Sequence, residues 1–572
     1  MSIHLNSVFV RASAIVLVLT IGCGTAQAAI ATVGTGAGCT HSDLSSAVTA
    51  VEAQSGPRTI FIVDETFPSM ADTVITQSMT IWGGLPTCAG PSPTGPAPVL
   101  IDADSGYAIR VSPPTGSGRI DVVLRNVELR GVDNQSGGGV DVGGNADVIL
   151  DRVTIQGASH LTGGGLRVAG GSAGIPLVTL TGADEMLTTL WENHATTSGG
   201  GIACSDGAYV ILERALLHDN FSGGDGGGIF LDDCTLEMGE IVEIEYNSTA
   251  GGGGAIAAVA GSYVWTIGAG YAFGSVSPAA HGGFLWADAS DVRLENVLIG
   301  GGSNVIDGGF VHLSGGSSLE MVSNTKDCSP SSAGFCSALV AGSASGRGGA
   351  LFLEDSELVL RNTDLSRNSA GIDGAAIHME NSVARLEGVR VVANRGPSIL
   401  SVEGESSTEL SLRYVTLAAS ENANFPLFIS NVGGGGPVVE VLSSILWEPA
   451  SPAIFGVLNG TAPPDMHCVL ASSTVPGDEI MVADPLFADP GNRDYRLSVA
   501  SPAIDFCDAS RAPTEYPDFD LETRGTDQPG VDDRVPGAHY DLGYDEWFGF
   551  SQSVFLDGFE SGDTSVWSIT SP

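Results

Sequence analysis

Across residues 140–380 one short pattern recurs: small residues, usually glycine, then an apolar residue, a mixed one, a second apolar or small one, and a polar or small one. The first apolar positions fall in register at Val140, Leu166, Ile202, Ile229, Ile256, Leu285, Val311, Leu351 and Ile377, in steps of 26, 36, 27, 27, 29, 26, 40 and 26 residues. Weaker matches extend the series to Ile109, Ile399 and Leu427. An apolar–mixed–apolar alternation is the mark of a strand with one buried face. A second signal supports the register. Asn193, Asn220, Asn247 and Asn368 each lie nine residues before an anchor, and Leu190, Leu217, Ile244 and Leu365 precede them by three.

A strand-rich unit of this length cannot bury its apolar face alone, and stacking successive units in parallel solves the problem. The expected fold is all-β, a right-handed parallel β-helix of about 12 coils of about 27 residues, with equivalent residues ~4.8 Å apart along the axis. Asparagines at a common corner then stack as an amide ladder. The stretch "GCTHSDLSSAVTAVEAQSGPRTIFIV" predicts a short amphipathic helix, capped by Thr40 or Ser42, running into a first strand. The resulting division is a signal peptide at 1–28, an N-terminal cap with the first coils at 29–100, the β-helix at 101–445, a C-terminal capping domain at 446–547 and a tail at 548–572.

Acids outnumber bases by 66 to 23, giving a net charge of −43, and Lys326 is the one lysine. Phosphate binding depends on Lys and Arg, so nucleic acid is excluded as a partner. The apolar run "ASAIVLVLTIG" after Arg11, followed by Ala26-Gln27-Ala28, reads as a secretory signal cut before Ala29. No later apolar run reaches the ~18–20 residues of a membrane span, so no transmembrane segment is expected in the mature chain. Eight cysteines remain after the cut, an even number that favours disulfides in an exported protein. Pairing of sequence neighbours, 39–88, 204–234, 328–336 and 468–507, is the simplest arrangement.

Two resemblances follow from local motifs. Gly253-Gly254-Ala255-Ile256 and Gly348-Gly349-Ala350-Leu351, with the Leu/Ile-x-x-Asn elements, resemble the repeats of bacterial polymorphic outer membrane proteins. Leucine or isoleucine here replaces the phenylalanine of that pattern. Asp484-Pro485-Leu486-Phe487, Tyr495-Arg496-Leu497, Ser501-Pro502-Ala503-Ile504-Asp505 and Asp541-Leu542-Gly543 resemble the terminal segment of choice-of-anchor β-helix proteins. The first resemblance implies surface display and adhesion. The second implies a domain beside the device that holds the protein to a cell, and the last residues resemble a tail of secreted Gram-negative proteins.

The glycine-rich stretch "FSGGDGGGIFLDDC", Phe221 to Cys234, has neither P-loop nor Rossmann spacing, and Gly228 stands where a calcium β-roll needs aspartate. Its glycines read as a coil corner. The chemistry is expected on the outward positions instead. One residue past the anchors come Phe230, Trp286, His312, Phe352 and His378, a column whose rings are suited to stacking on sugar. Two positions further lie Asp232, Asp288, Glu354 and Glu380, carboxylates that could share a cation, with Ca2+ the candidate. The function expected is that of an exported, non-catalytic, adhesin-like or glycan-binding protein at the outer surface of a Gram-negative bacterium or beyond it. A polysaccharide lyase or glycoside hydrolase acting on acidic polysaccharide along the same column, with Glu354 and Glu380 spaced as a retaining glycosidase pair, and a purely structural surface component are the alternatives.

Overall fold

The computed structural model describes residues 28–67, 72–90, 92–101, 106–131, 138–183, 186–266, 280–301, 305–324, 337–508, 516–528 and 537–547. Residues 1–27 of the proposed signal, the tail, Cys328 and Cys336 lie outside these residues.

The chain winds into an all-β parallel solenoid of about 15 turns. Four-residue strands such as Leu166–Ala169, Ile202–Ser205, Ile229–Asp232 and Ile256–Val259 stack in parallel into a 14-stranded sheet. Longer segments such as Tyr209–His218 build a 25-stranded sheet, and short strands such as His194–Ser198 stack into a separate four-stranded one. Equivalent anchors are register partners throughout, as in Ile202 with Ile229, Ile229 with Ile256 and Leu351 with Ile377. Their side chains point inward and fuse into one apolar cluster that runs along the axis.

The expected count of 12 coils falls short of the observed number. The short-strand sheet begins at Thr73–Ile75 and ends at Phe455–Leu458, and the long sheet starts with Ala29–Val33 and closes with Asp478–Val482. These terminal turns lack the small-small-apolar signature, so the periodicity does not reach them. One anchor also slips. Ile377 pairs with Leu400 rather than Ile399. Both residues are apolar and buried, so hydrophobicity cannot choose between them, yet a shift by one residue exchanges the two faces of a strand.

The corner asparagines form the anticipated ladder. Asn193 Nδ2 donates to Asn220 Oδ1 at 3.0 Å and Asn220 Nδ2 to Asn247 Oδ1 at 2.9 Å, while each oxygen also accepts the backbone N–H of the preceding member. Asn368 continues the device with Asn394, at 3.1 Å. At the N-terminal end the helix is Leu44–Glu52, and Asp43, not Thr40 or Ser42, accepts from Ser46 N as its N-cap. Thr40 instead bonds back to Thr32. Leu44, Ala47, Val48 and Val51 join the core beside the first turn. Disulfides 39–88, 204–234 and 468–507 form as expected.

Residues 487–547 are built differently. Among the described residues they contribute two short antiparallel pairs, Phe487–Asp489 with Asp494–Leu497 and Cys507–Asp508 with Ala538–Tyr540. Their described residues lie on the flank of the solenoid, where Tyr495, Phe519 and Tyr544 pack on Ala338, Val392 and Ala418 and cover the buried Asp364–Arg390 ion pair. With few strands to engage them, backbone amides here are met by buried carboxylates. Glu546 Oε1 accepts from Gly525 N at 2.8 Å and Thr526 N at 3.2 Å, and its Oε2 accepts from Asp541 N at 3.4 Å. Asp541 accepts from Asp505 N and Trp547 N, and Asp518 from Glu522 N and Glu546 N.

Candidate functional site

The outer face of the short-strand sheet carries the residues anticipated one position past each anchor. Phe230, Ala257, Trp286, His312, Phe352 and His378 are successive register partners and form a single column. His312 stacks on Phe352 with centroids 4.7 Å apart, and Phe352 on His378 at 5.3 Å. His281, from the turn before the Trp286 strand, adds a tilted contact to His312 at 4.7 Å. Nearer the N-terminus the same column is ionic, with Asp141 held between Arg110 at 3.2 Å and Arg167 at 2.9 Å.

The column does not face solvent along its whole length, as the alternation had implied. Phe230 and Trp286 are half-buried, whereas His312, Phe352 and His378 are buried. The cause is the turn that enters each strand. At Gly374 the chain takes φ +67° and folds back so closely that a Cβ there would sit 2.7 Å from the Cβ of His378. Only glycine adopts this conformation at no steric cost. At Gly252 the missing side chain makes room for the Trp286 indole, since a Cβ would lie 2.7 Å from its ring atoms. Periodicity tells which way a side chain points, not what packs over it. Burial, reinforced by His281, pushes the His312 imidazole down to about 3.

The outward acids also sit where the register puts them, and they are not equivalent. Asp232 and Glu354 are exposed, while Asp288 and Glu380 are half-buried. Asp288 Oδ1 accepts from Ser314 Oγ at 2.9 Å. Glu354 and Glu380 are register partners on adjacent strands. Glu380, however, is already engaged by His378 Nε2 at 3.1 Å and by the Arg347 guanidinium. The hydrogen bond from His378, ahead of the charge of Arg347, holds its carboxyl below the ordinary range. Sequence reasoning missed Glu403. With Leu400 as the anchor it becomes the register partner of Glu380, and one donor atom from each of His378, Glu380 and Glu403 lies within 4.8 Å of the others. Cys468, Glu479 and Cys507 are similarly close, but those cysteines are joined in a disulfide.

Fold and column together define a parallel β-solenoid with an aromatic and imidazole ladder on one outer face. No family model matches the chain, and a search of curated proteins finds no match either.

Proposed function

We propose that this protein is a non-catalytic glycan-binding or adhesin-like solenoid of the outer cell surface or extracellular space, and that it holds neutral polysaccharide at Phe230 and Trp286. The observation that carries the reading is the placement of these two rings. They stand two rungs apart with the small Ala257 between them, about 10 Å along the axis, a span that suits successive sugar units of an extended chain. Both remain partly open to solvent, and Asp232 and Asp288 lie beside them to accept sugar hydroxyls. The charge of −43 disfavours an acidic polymer.

Export rests on the N-terminal apolar run and the three disulfides. No helix among the described residues is long and apolar enough to cross a membrane. The winding is assigned as right-handed, as parallel crossovers almost always are. The N-terminal helix acts as the solenoid's cap, residues 446–547 serve the anchoring end, and residues 548–572 are a sorting tag.

A neutral-glycan array run with wild type, Trp286→Ala and Phe230→Ala tests the reading. The expected result is binding by wild type that falls at least ~10-fold in each variant, the scale of a lost aromatic anchor. Binding indifferent to both substitutions removes the site. Ultraviolet absorbance from unsaturated ends, on incubation with polysaccharide and Ca2+, would replace the non-catalytic reading with the lyase.

A further inference from the structure

Two adjacent strands, Ile377–Glu380 and Ser398–Gly404, bring His378, Glu380 and Glu403 to one patch. Two carboxylates this close repel unless a cation compensates them. Arg347 pairs with Glu380, but among the described residues no side chain pairs with Glu403. The His378 side chain is 0% exposed, and its Nδ1 has no partner among the described residues. The same holds for the buried Oγ of Ser401, the register partner of His378 on the next strand. Buried polar atoms are seldom left open, and these two lie on the same pair of adjacent strands as the acid pair.

We infer that His378, Glu380 and Glu403 form a binding site for a divalent transition metal of the zinc class. One imidazole with two carboxylates is a donor set such ions accept, whereas calcium takes oxygen ligands. The charges close. Two carboxylates neutralise the ion, His378 supplies a neutral nitrogen, and Arg347, 37% exposed, moves to solvent. Arg347 thus supplies the positive charge when no metal is bound. Three protein ligands leave coordination open on the solvent side, the layout of a site that accepts a further group. Of the acids anticipated from sequence, only Glu380 takes part. The inference is independent of the glycan reading, because it uses neither Phe230 nor Trp286.

Titration calorimetry with zinc chloride on the full, oxidised, chelator-treated chain tests it. The expected result is one saturable site, weakened at least ~10-fold by Glu403→Gln and by His378→Ala. Arg347→Ala should bind at least as tightly as wild type, because the competing guanidinium is gone. Glu403→Gln alters a half-buried side chain, so it keeps the test valid if His378→Ala disturbs the ring stack. Absorption of the cobalt-loaded protein should change in intensity in the Glu403 variant. Absence of a saturable site, affinity unmoved by Glu403→Gln, or loss of binding in Arg347→Ala would each overturn the assignment.

Discussion

The coils and residues 487–547 solve the same problem in opposite ways. In the coils every turn has a neighbour of the same shape, so backbone groups pair strand to strand and corner polar groups pair as neutral ladders, Asn193 to Asn220 to Asn247. The flanking segment has no such neighbour. It satisfies its amides with Asp518, Asp541 and Glu546, charged groups brought into a poorly solvated place. Repetition therefore allows a polar interior without charge, and its absence calls for carboxylates. The two regions carry opposite liabilities. The coils bury the His312 imidazole, which burial keeps neutral, and the segment gathers several acids that protonation stabilises, a device the coils use at Glu448 in the last turns.

Substitutions should expose this difference. The largest expected effect is Glu546→Ala, which strands the N–H groups of Gly525, Thr526 and Asp541. At 1–3 kcal/mol for each unsatisfied donor the segment should lose about 5 kcal/mol and lie open in hydrogen exchange, with the coils unaffected. Protection retained in residues 516–547 would mean that the carboxylate is not what holds them. Next is the disulfide Cys468–Cys507, which ties the segment to the last turns across 39 residues. Replacing both cysteines with serine should cost about 4 kcal/mol, read as earlier proteolysis of the segment. Asn220→Ala should cost about 2–3 kcal/mol and raise exchange only in the neighbouring turns, because it leaves the Asn193 N–H without its acceptor and removes the Nδ2 bonds to Leu190 O and Asn247 Oδ1. Smallest is Phe352→Leu, which removes two ring stacks at similar volume. It should cost about 1 kcal/mol in thermal unfolding, and a loss above about 3 kcal/mol would show that the stack is the main support of that face.

The same contrast explains what could be read from the chain. Anchors from Val140 to Ile377 and the first asparagines were legible because each turn repeats the demands of the last. Asn394 was missed because its turn is shorter: it stands six residues before Leu400 where the others stand nine before their anchors. Glu403 was missed through the Ile399–Leu400 ambiguity, which inverts the faces of that strand. The outward column was legible in membership but not in exposure, since His378 is covered by the backbone fold at Gly374 as well as by the Phe352 ring. In the flanking segment nothing repeats, and the amides that the Glu546 carboxylate accepts lie up to 21 residues away in irregular backbone.

Hydrogen exchange of the intact protein across pH 4.5 to 8, resolved by segment and corrected for intrinsic rate, tests the comparison most directly. In the segment, burial pushes Glu546 up to about 7 and Asp518 to about 6, and raises Asp541 and Asp545 as well. Acids with raised folded values give stability that is present below their unfolded values and lost as pH climbs through 6 and 7. In the coils, burial pushes His312 down to about 3 and His160 to about 4. Bases depressed in this way give stability that is full above ~6.5 and lost as pH falls toward those values. The account predicts that residues 516–547 lose protection toward pH 8 while the turns around His160 and His312 lose it toward pH 4.5. Parallel changes in both regions, or a segment most protected at pH 8, would contradict it.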